Sequence, residues 1–131
     1  MPNPDAALQP AHLRSVSRAS ATVADWGAIQ WLVTGQSFPG AQITFGFVEI
    51  EPGRKNPRHL HPNSDEVLYL IEGELEHSIG EDRVRMKPGD VVFIAQSIPH
   101  DARNIGSVTA RMVVGFPTGD RQAVMLEDGV D

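Results

Sequence analysis

Apolar residues along this chain fall into short β-type runs separated by glycine, proline and acidic turns. Ile29 to Val33 is one run, and Thr34 to Gly40 stops it. Ile43 to Ile50 is stronger, with Phe45, Phe47 and Val48, and Glu51-Pro52-Gly53 ends it. Val67 to Ile71, Leu75 to Ile79, Val91 to Ile94 and Thr109 to Phe116 follow. The breaks between them, Glu72-Gly73, Gly80 to Asp82 and Lys87-Pro88-Gly89-Asp90, carry turn chemistry. Evenly spaced short strands without a sustained helical period predict an all-β sandwich or closed barrel. The two ends read differently. Met1 to Ala21 has prolines at positions 2, 4 and 10 and reads as an arm, in which Leu13 to Val16 is the one candidate edge strand. Asp120 to Glu127 reads equally as a short helix or a peripheral strand.

The chain has 131 residues, enough for one domain: an arm over 1–21 and a barrel over 22–131. A domain of this size buries a core without disulfide or metal support, so a bound metal would serve function rather than folding. Cysteine is absent, which excludes disulfides, thiolate zinc sites, iron–sulfur clusters and a cysteine nucleophile. Its absence also favours a reducing compartment. The formal net charge is -6 with the two signs interspersed, so no basic face awaits DNA or RNA. No apolar run approaches a signal sequence or a membrane span, and the expectation is a soluble, cytoplasmic protein.

The chemistry concentrates in four residues. His59 and His61 are one residue apart, which in a strand puts both imidazoles on one face with Leu60 on the other. Pro62-Asn63-Ser64-Asp65 has the composition of a turn that returns the chain with Glu66 facing the same interior. His100 comes much later, after Ile98-Pro99. Imidazole nitrogen and carboxylate oxygen suit one divalent transition metal, with Fe, Mn, Ni, Co and Zn all admissible and sulfur-loving ions disfavoured. Four protein ligands on a six-coordinate ion leave two positions for a chelating substrate or dioxygen.

Gly53-x5-His59-x-His61-x4-Glu66-x6-Gly73 reproduces the first motif of the cupin superfamily in full. The second motif matches at Gly89, Asp90, His100 and Asn104, with Pro99 also frequent there, while Ala95 and Ser97 stand where proline and glycine are expected. The sequence therefore resembles a small single-domain cupin. That resemblance implies a double-stranded β-helix, or jelly roll, with His59, His61, Glu66 and His100 as ligands inside the barrel. Gly73 and Gly89 sit where tight turns call for positive φ, and Gly53 ends its strand in the same way. Asn104 is expected to bond backbone at a turn. Similar proteins include dioxygenases, isomerases, decarboxylases and lyases, so the implied function is a metal-dependent enzyme acting on a small polar metabolite that chelates the ion. The alternative is a non-catalytic cupin that binds or senses a small molecule.

Other residues are weighed against plainer roles. His77 shares parity with Leu75 and Ile79, so it is the candidate proton carrier of the pocket, against a histidine simply hydrogen-bonded near the barrel end. Arg58 and Arg111 could fork onto a substrate carboxylate, though an ion pair within the protein is the commoner use. Glu72, Glu74 and Glu76 read as a solvated strand face, and His12 has no assigned role. Phe45, Phe47, Phe93 and Met112 read as core or pocket wall. Val67, Tyr69 and Ile71 have opposite parity to Glu66 and point away from the metal side. Outward apolar residues, together with the cupin resemblance, lead to an expected homodimer joined through sheet faces or exchanged arms.

Overall fold

In the computed structural model, which describes residues 12–126, the chain forms eleven strands and a single 3₁₀ turn at Arg18–Ser20. The strands are β1 (Thr22–Ala24), β2 (Gly27–Val33), β3 (Thr44–Ile50), β4 (His59–Leu60), β5 (Glu66–Glu72) and β6 (Leu75–Ile79), followed by β7 (Asp82–Met86), β8 (Val91–Ile94), β9 (His100–Asn104), β10 (Ala110–Phe116) and β11 (Val124–Met125). They pair into a six-stranded sheet of order β1-β2-β3-β10-β5-β8 and a five-stranded sheet of order β11-β4-β9-β6-β7. Every pairing between them is antiparallel. No helix among the described residues is long and apolar enough to cross a membrane.

Strict alternation builds the core. On β3, Thr44, Gly46, Val48 and Ile50 are buried, and on β10 Ala110, Met112, Val114 and Phe116 are buried. Leu70 from β5 and Leu75 from β6 meet them from the two sheets. Each fully buried aliphatic side chain of this kind contributes about 1.5–3 kcal/mol relative to exposure.

The same parity corrects part of the aromatic assignment. Met112 is core, but Phe93 is 60% exposed, and Phe45 and Phe47 lie half-buried on the outer face of the six-stranded sheet. Phe93 stands opposite Val67, an outward position, so its ring has to follow Val67 out of the barrel. Val67, Tyr69 and Ile71 do point outward, as parity requires.

Leu13 to Val16 is not an edge strand. This segment docks through a side chain instead: Gln30 on β2 accepts from the Ser17 backbone N–H at 2.6 Å and donates to the Ser15 carbonyl at 3.0 Å. The amide side chain takes the place of a ladder, which leaves the segment's apolar residues exposed. Residues 1–11 of the arm lie outside the described residues. At the other end, Asp120 to Glu127 resolves into the peripheral alternative, since Val124–Met125 forms β11 against β4, while Glu127 lies outside the described residues.

Turn chemistry holds the motif segments. Gly73 has φ +95°, and a Cβ there would lie 2.8 Å from the Ala110 Cα, so both conformation and space require glycine. Asn104 is buried and acts as a backbone clamp: its amide donates to the carbonyls of Ile50 (2.9 Å) and Val108 (2.8 Å) and accepts from Gly106 N–H (2.9 Å). Ser97 is the exception. It occupies the position where the motif has glycine, and it keeps the conformation of glycine, with φ +69°. A non-glycine residue there costs about 1–2 kcal/mol, and the greater chain entropy of unfolded glycine offsets about 0.5–1 kcal/mol of that. Ser97→Gly is therefore expected to raise the unfolding free energy by about 0.5–1 kcal/mol, seen as a higher denaturant midpoint at unchanged slope. A lower midpoint would mean that the serine side chain contributes more than the strain costs.

Candidate metal centre

Two short turns bring the four motif residues together. His59 on β4 is paired in register with His100 at the start of β9, so two imidazoles rise side by side from the five-stranded sheet. His61 follows β4 directly. Glu66 opens β5 in the other sheet, paired with Ile94. The turn after β4 and the turn before β9 are clasped together. The Gln96 backbone N–H donates to the Asp65 carboxylate at 2.9 Å, the Gln96 side chain to the Pro62 carbonyl at 2.6 Å, and Ser97 N–H to the His61 carbonyl at 2.9 Å. The strained Ser97 turn thus ties the His61–Glu66 segment to the one that delivers His100.

Each imidazole is oriented by a carbonyl. His59 Nδ1 lies 2.7 Å from the Pro57 oxygen, His61 Nδ1 2.8 Å from the Gln122 oxygen, and His100 Nδ1 2.9 Å from the Ile98 oxygen. Carbonyls only accept, so Nδ1 carries the proton in all three rings and Nε2 is left as the lone-pair nitrogen. Backbone orientation of this kind is what a metal-ligating histidine needs from its surroundings.

His61 Nε2 and His100 Nε2 lie 3.1 and 3.0 Å from Glu66 Oε1. All three atoms are buried and without a hydrogen-bond partner. Acceptors facing one another in a dry site are costly unless something positive lies between them. One ligand atom from each of His59, His61, Glu66 and His100 falls within 4.8 Å of the others. Ligands at about 2.0–2.2 Å from one ion, at right angles, would be about 3.0 Å apart. The donor set and its spacing therefore fit a divalent transition metal, and these four residues could hold one.

Electrostatics prepare the same site. Burial, reinforced by neighbouring His100, lowers His59 to about 4, so its ring is neutral at neutral pH. Burial pushes Glu66 up, but the facing rings of His100 and His61 outweigh it and hold the carboxyl at about 2. His100 moves the other way: burial lowers it, yet the facing Glu66 carboxylate prevails and raises it.

The ligand atoms face a cavity of about 170 Å³ lined by Trp26, Trp31, Val48, Met112 and Phe116, with His77 and Arg121 among its polar groups. His77 is buried on β6, its ring stacked 6.0 Å from that of His100 with 17° between their planes. Burial, then the nearby His100, lowers it to about 4, so it is neutral. The two arginines weighed as carboxylate anchors are used elsewhere. Arg58 donates to Ser78 Oγ and to the Gly80 carbonyl, both at 2.9 Å. Arg111 bonds Glu49 and Glu72 on the outer face, and neither arginine lines the cavity.

Motif reading missed the contribution of the C-terminal segment. Asn63 donates to the Asp120 carbonyl at 2.8 Å and accepts from Gln122 N–H at 3.0 Å, which sets the Gln122 carbonyl on His61 and carries Arg121 to the cavity. The only local signal is Asn63 in a turn, and its partners lie nearly sixty residues away.

Known proteins resemble this chain in sequence and in fold. The chain is 34% identical over 87 residues to the tetracenomycin polyketide synthase protein TcmJ of Streptomyces glaucescens, covering 66% of this chain and 58% of that protein. It is 30% identical over 89 residues to germin-like protein subfamily 3 member 2 of Arabidopsis thaliana, covering 62% of this chain and 39% of that one. The crystal structure of the Lactobacillus farciminis oxalate decarboxylase formate complex superposes with a TM-score of 0.75 at 25% identity, over 81% of this chain and 33% of the other. Both curated relatives are therefore substantially longer than the part this chain matches. A family model described as the cupin domain matches residues 46–116, just over half of the sequence and the whole stretch that carries the four candidate ligands, and the chain belongs to the cupin family.

Proposed function

We propose that this cupin is a metal-dependent enzyme, of oxygenase, isomerase or lyase type, acting on a small polar metabolite that chelates the ion inside the barrel. One observation carries the reading: three buried polar atoms, His61 Nε2, His100 Nε2 and Glu66 Oε1, converge without partners beside a cavity instead of being closed over. A purely structural ion would be fully enclosed by protein ligands, whereas four ligands beside an open chamber leave room for substrate. The bound divalent ion would supply Lewis acidity or oxygen activation.

This chain's own residues do the rest. His59, His61, Glu66 and His100 hold the ion, while Trp26, Trp31 and Phe116 keep bulk water from the bound ligand. A volume of about 170 Å³ is well below the range of drug-sized pockets and selects a ligand of a few non-hydrogen atoms. Neutral His77 stands beside His100 as the group able to take up a proton from the ligand. The oxalate decarboxylase relative, seen with formate, places small carboxylates first among the compounds to try.

The test is metal analysis of protein purified without chelator, followed by oxygen-uptake and product screens with small carboxylic, hydroxy and keto acids. Turnover that disappears on chelation and returns with one metal supports the enzyme. Full metal occupancy with ligand binding and no turnover would favour a sensing or storage protein. His77→Gln is expected to lower turnover by about 100-fold or more while metal content stays unchanged. Undiminished turnover would remove His77 from the chemistry.

A further inference from the structure

Arg121 is the one cavity residue whose surroundings do not account for it. Among the described residues, no hydrogen bond or ion pair engages its guanidinium. Its central carbon lies instead over two aromatic rings, 4.1 Å from the Trp31 ring centre and 5.5 Å from that of Phe116. Cation–π contact of this kind engages the charge and uses none of the guanidinium's N–H donors. Those donors form a fork that matches a carboxylate edge-on. Partial burial makes idle donors costly, and burial also pushes Arg121 below its ordinary value, with Glu66 opposing.

Its place in the molecule gives those donors a use. A surface groove of about 720 Å³ runs between residues 34–42 and 118–121, whose backbones are joined by the 2.8 Å bond from Gly35 N–H to the Gly119 carbonyl. Groove and metal cavity share two residues, Trp31 and Arg121. Arg121 thus stands where the groove meets the chamber. The Phe116 ring also lies edge-on to the His61 ring at 4.9 Å, so one aromatic ring neighbours both the guanidinium and the candidate ligand set. Asp120 lines the groove as well, but its side chain is exposed and solvated. With three neutral imidazoles, a divalent ion, one carboxylate and one guanidinium leave the chamber with two uncompensated positive charges. An anion would satisfy both the fork and this imbalance.

We propose that Arg121 is a specificity-determining anion receptor between groove and metal cavity, and that the ligand it admits carries a carboxylate at one end and a metal-chelating group at the other. This rests on the metal reading above and adds the chemical class of the ligand.

The test uses two hydroxamates of similar size, both able to chelate a divalent ion. Succinohydroxamate carries a free carboxylate, whereas butyrohydroxamate ends in a methyl group. Each is titrated into the metal-loaded protein, followed by tryptophan fluorescence because Arg121 lies over Trp31, with metal content measured on the same samples. In the unmodified protein succinohydroxamate is expected to bind at least about tenfold tighter. In Arg121→Gln that preference should vanish, while butyrohydroxamate affinity and metal content stay unchanged. Arg121→Lys, which keeps the charge but not the fork, should retain part of it. Equal affinities in the unmodified protein, or a preference that survives Arg121→Gln at full metal content, overturn the proposal. Protein that takes up no metal sinks the metal reading instead. In that case metal-free protein titrated with succinate and butyramide still judges Arg121, by whether the anion binds more tightly and loses its advantage in Arg121→Gln.

Discussion

Replacing His100 by alanine is expected to strip the protein of its metal. As purified without chelator, the unmodified chain should hold about one divalent ion, through nitrogen and oxygen donors. His100 supplies one of the two unpartnered imidazole nitrogens, and its ring is held in place by the Ile98 carbonyl at 2.9 Å. Loss of a supporting residue around a metal ligand already costs about 10–100-fold in affinity, so loss of the ligand itself should cost at least about 100-fold. His59→Ala and Glu66→Gln should behave alike, the latter by removing the one negative charge among the four. The fold should survive, because the buried cluster of Ile50, Leu70, Leu75 and Met112 owes nothing to the ion. Acid should act in the same direction. In the metal-free site His100 is raised, so as pH falls through that value a proton takes the nitrogen the ion needs, and affinity declines. His59, held at about 4, resists protonation longer. Metal analysis and circular dichroism along one acid titration check both points. Metal should leave while the β-sheet signal stays, and loss of both in one transition would make the ion structural. Full metal content in both His59→Ala and His100→Ala would refute the site.

How far the sequence foretold this depends on where each element takes its specificity. Strands that bury aliphatic side chains announce themselves: Leu75 to Ile79 coincides with β6, and Thr109 to Phe116 with β10 to within one residue. β7 and β9 do not. Asp82–Met86 is an edge strand with only Met86 buried, so little apolar pattern is required of it. His100–Asn104 buries His100, Ala102 and Asn104, and its inward face is polar at both ends because these serve the metal site and the Asn104 clamp. A functional strand reads as a loop for that reason. The ligand set was legible because HxH spacing, a turn and glycines at positive φ are all local. Arg121 was not, because its position follows from Asn63 gripping residues 120–122, a long-range event without a sequence period. Phe93 was misplaced because a four-residue apolar run has no visible parity until its partner strand is known.

Changing Phe93 or Tyr69 to glutamate is expected to abolish any self-association of this chain through its outer sheet face. The outer face of the six-stranded sheet shows an apolar patch unusual for a solvated surface. Val67 stands opposite Phe93 and Tyr69 opposite Val91. Their exposures are 46, 60, 46 and 60% respectively, with Ile71 beside them. β8 is also the edge of this sheet, with one side unpaired within the sheet. At the rim, Arg111 joins Glu49 and Glu72, so charge borders the patch without entering it. An apolar centre with a polar rim is the anatomy of a protein interface. Two-fold dimers are the commonest way for a self-complementary face to be covered. We propose that a second copy of this chain covers it. Central aromatic residues dominate such interfaces at about 2 kcal/mol or more each, so either glutamate variant should weaken dimerisation by about 30-fold or more. Light scattering over a micromolar concentration series reads the mass directly. The dimer is refuted if the unmodified protein keeps a monomeric mass as concentration rises. Deleting residues 1–20 separates the two ways of pairing. The described part of that segment, from residue 12, docks on Gln30 of β2, toward the opposite edge of the sheet from β8. Unchanged dimer affinity after the deletion confines the interface to the sheet face, whereas a loss as large as that of the glutamate variants would require exchanged arms.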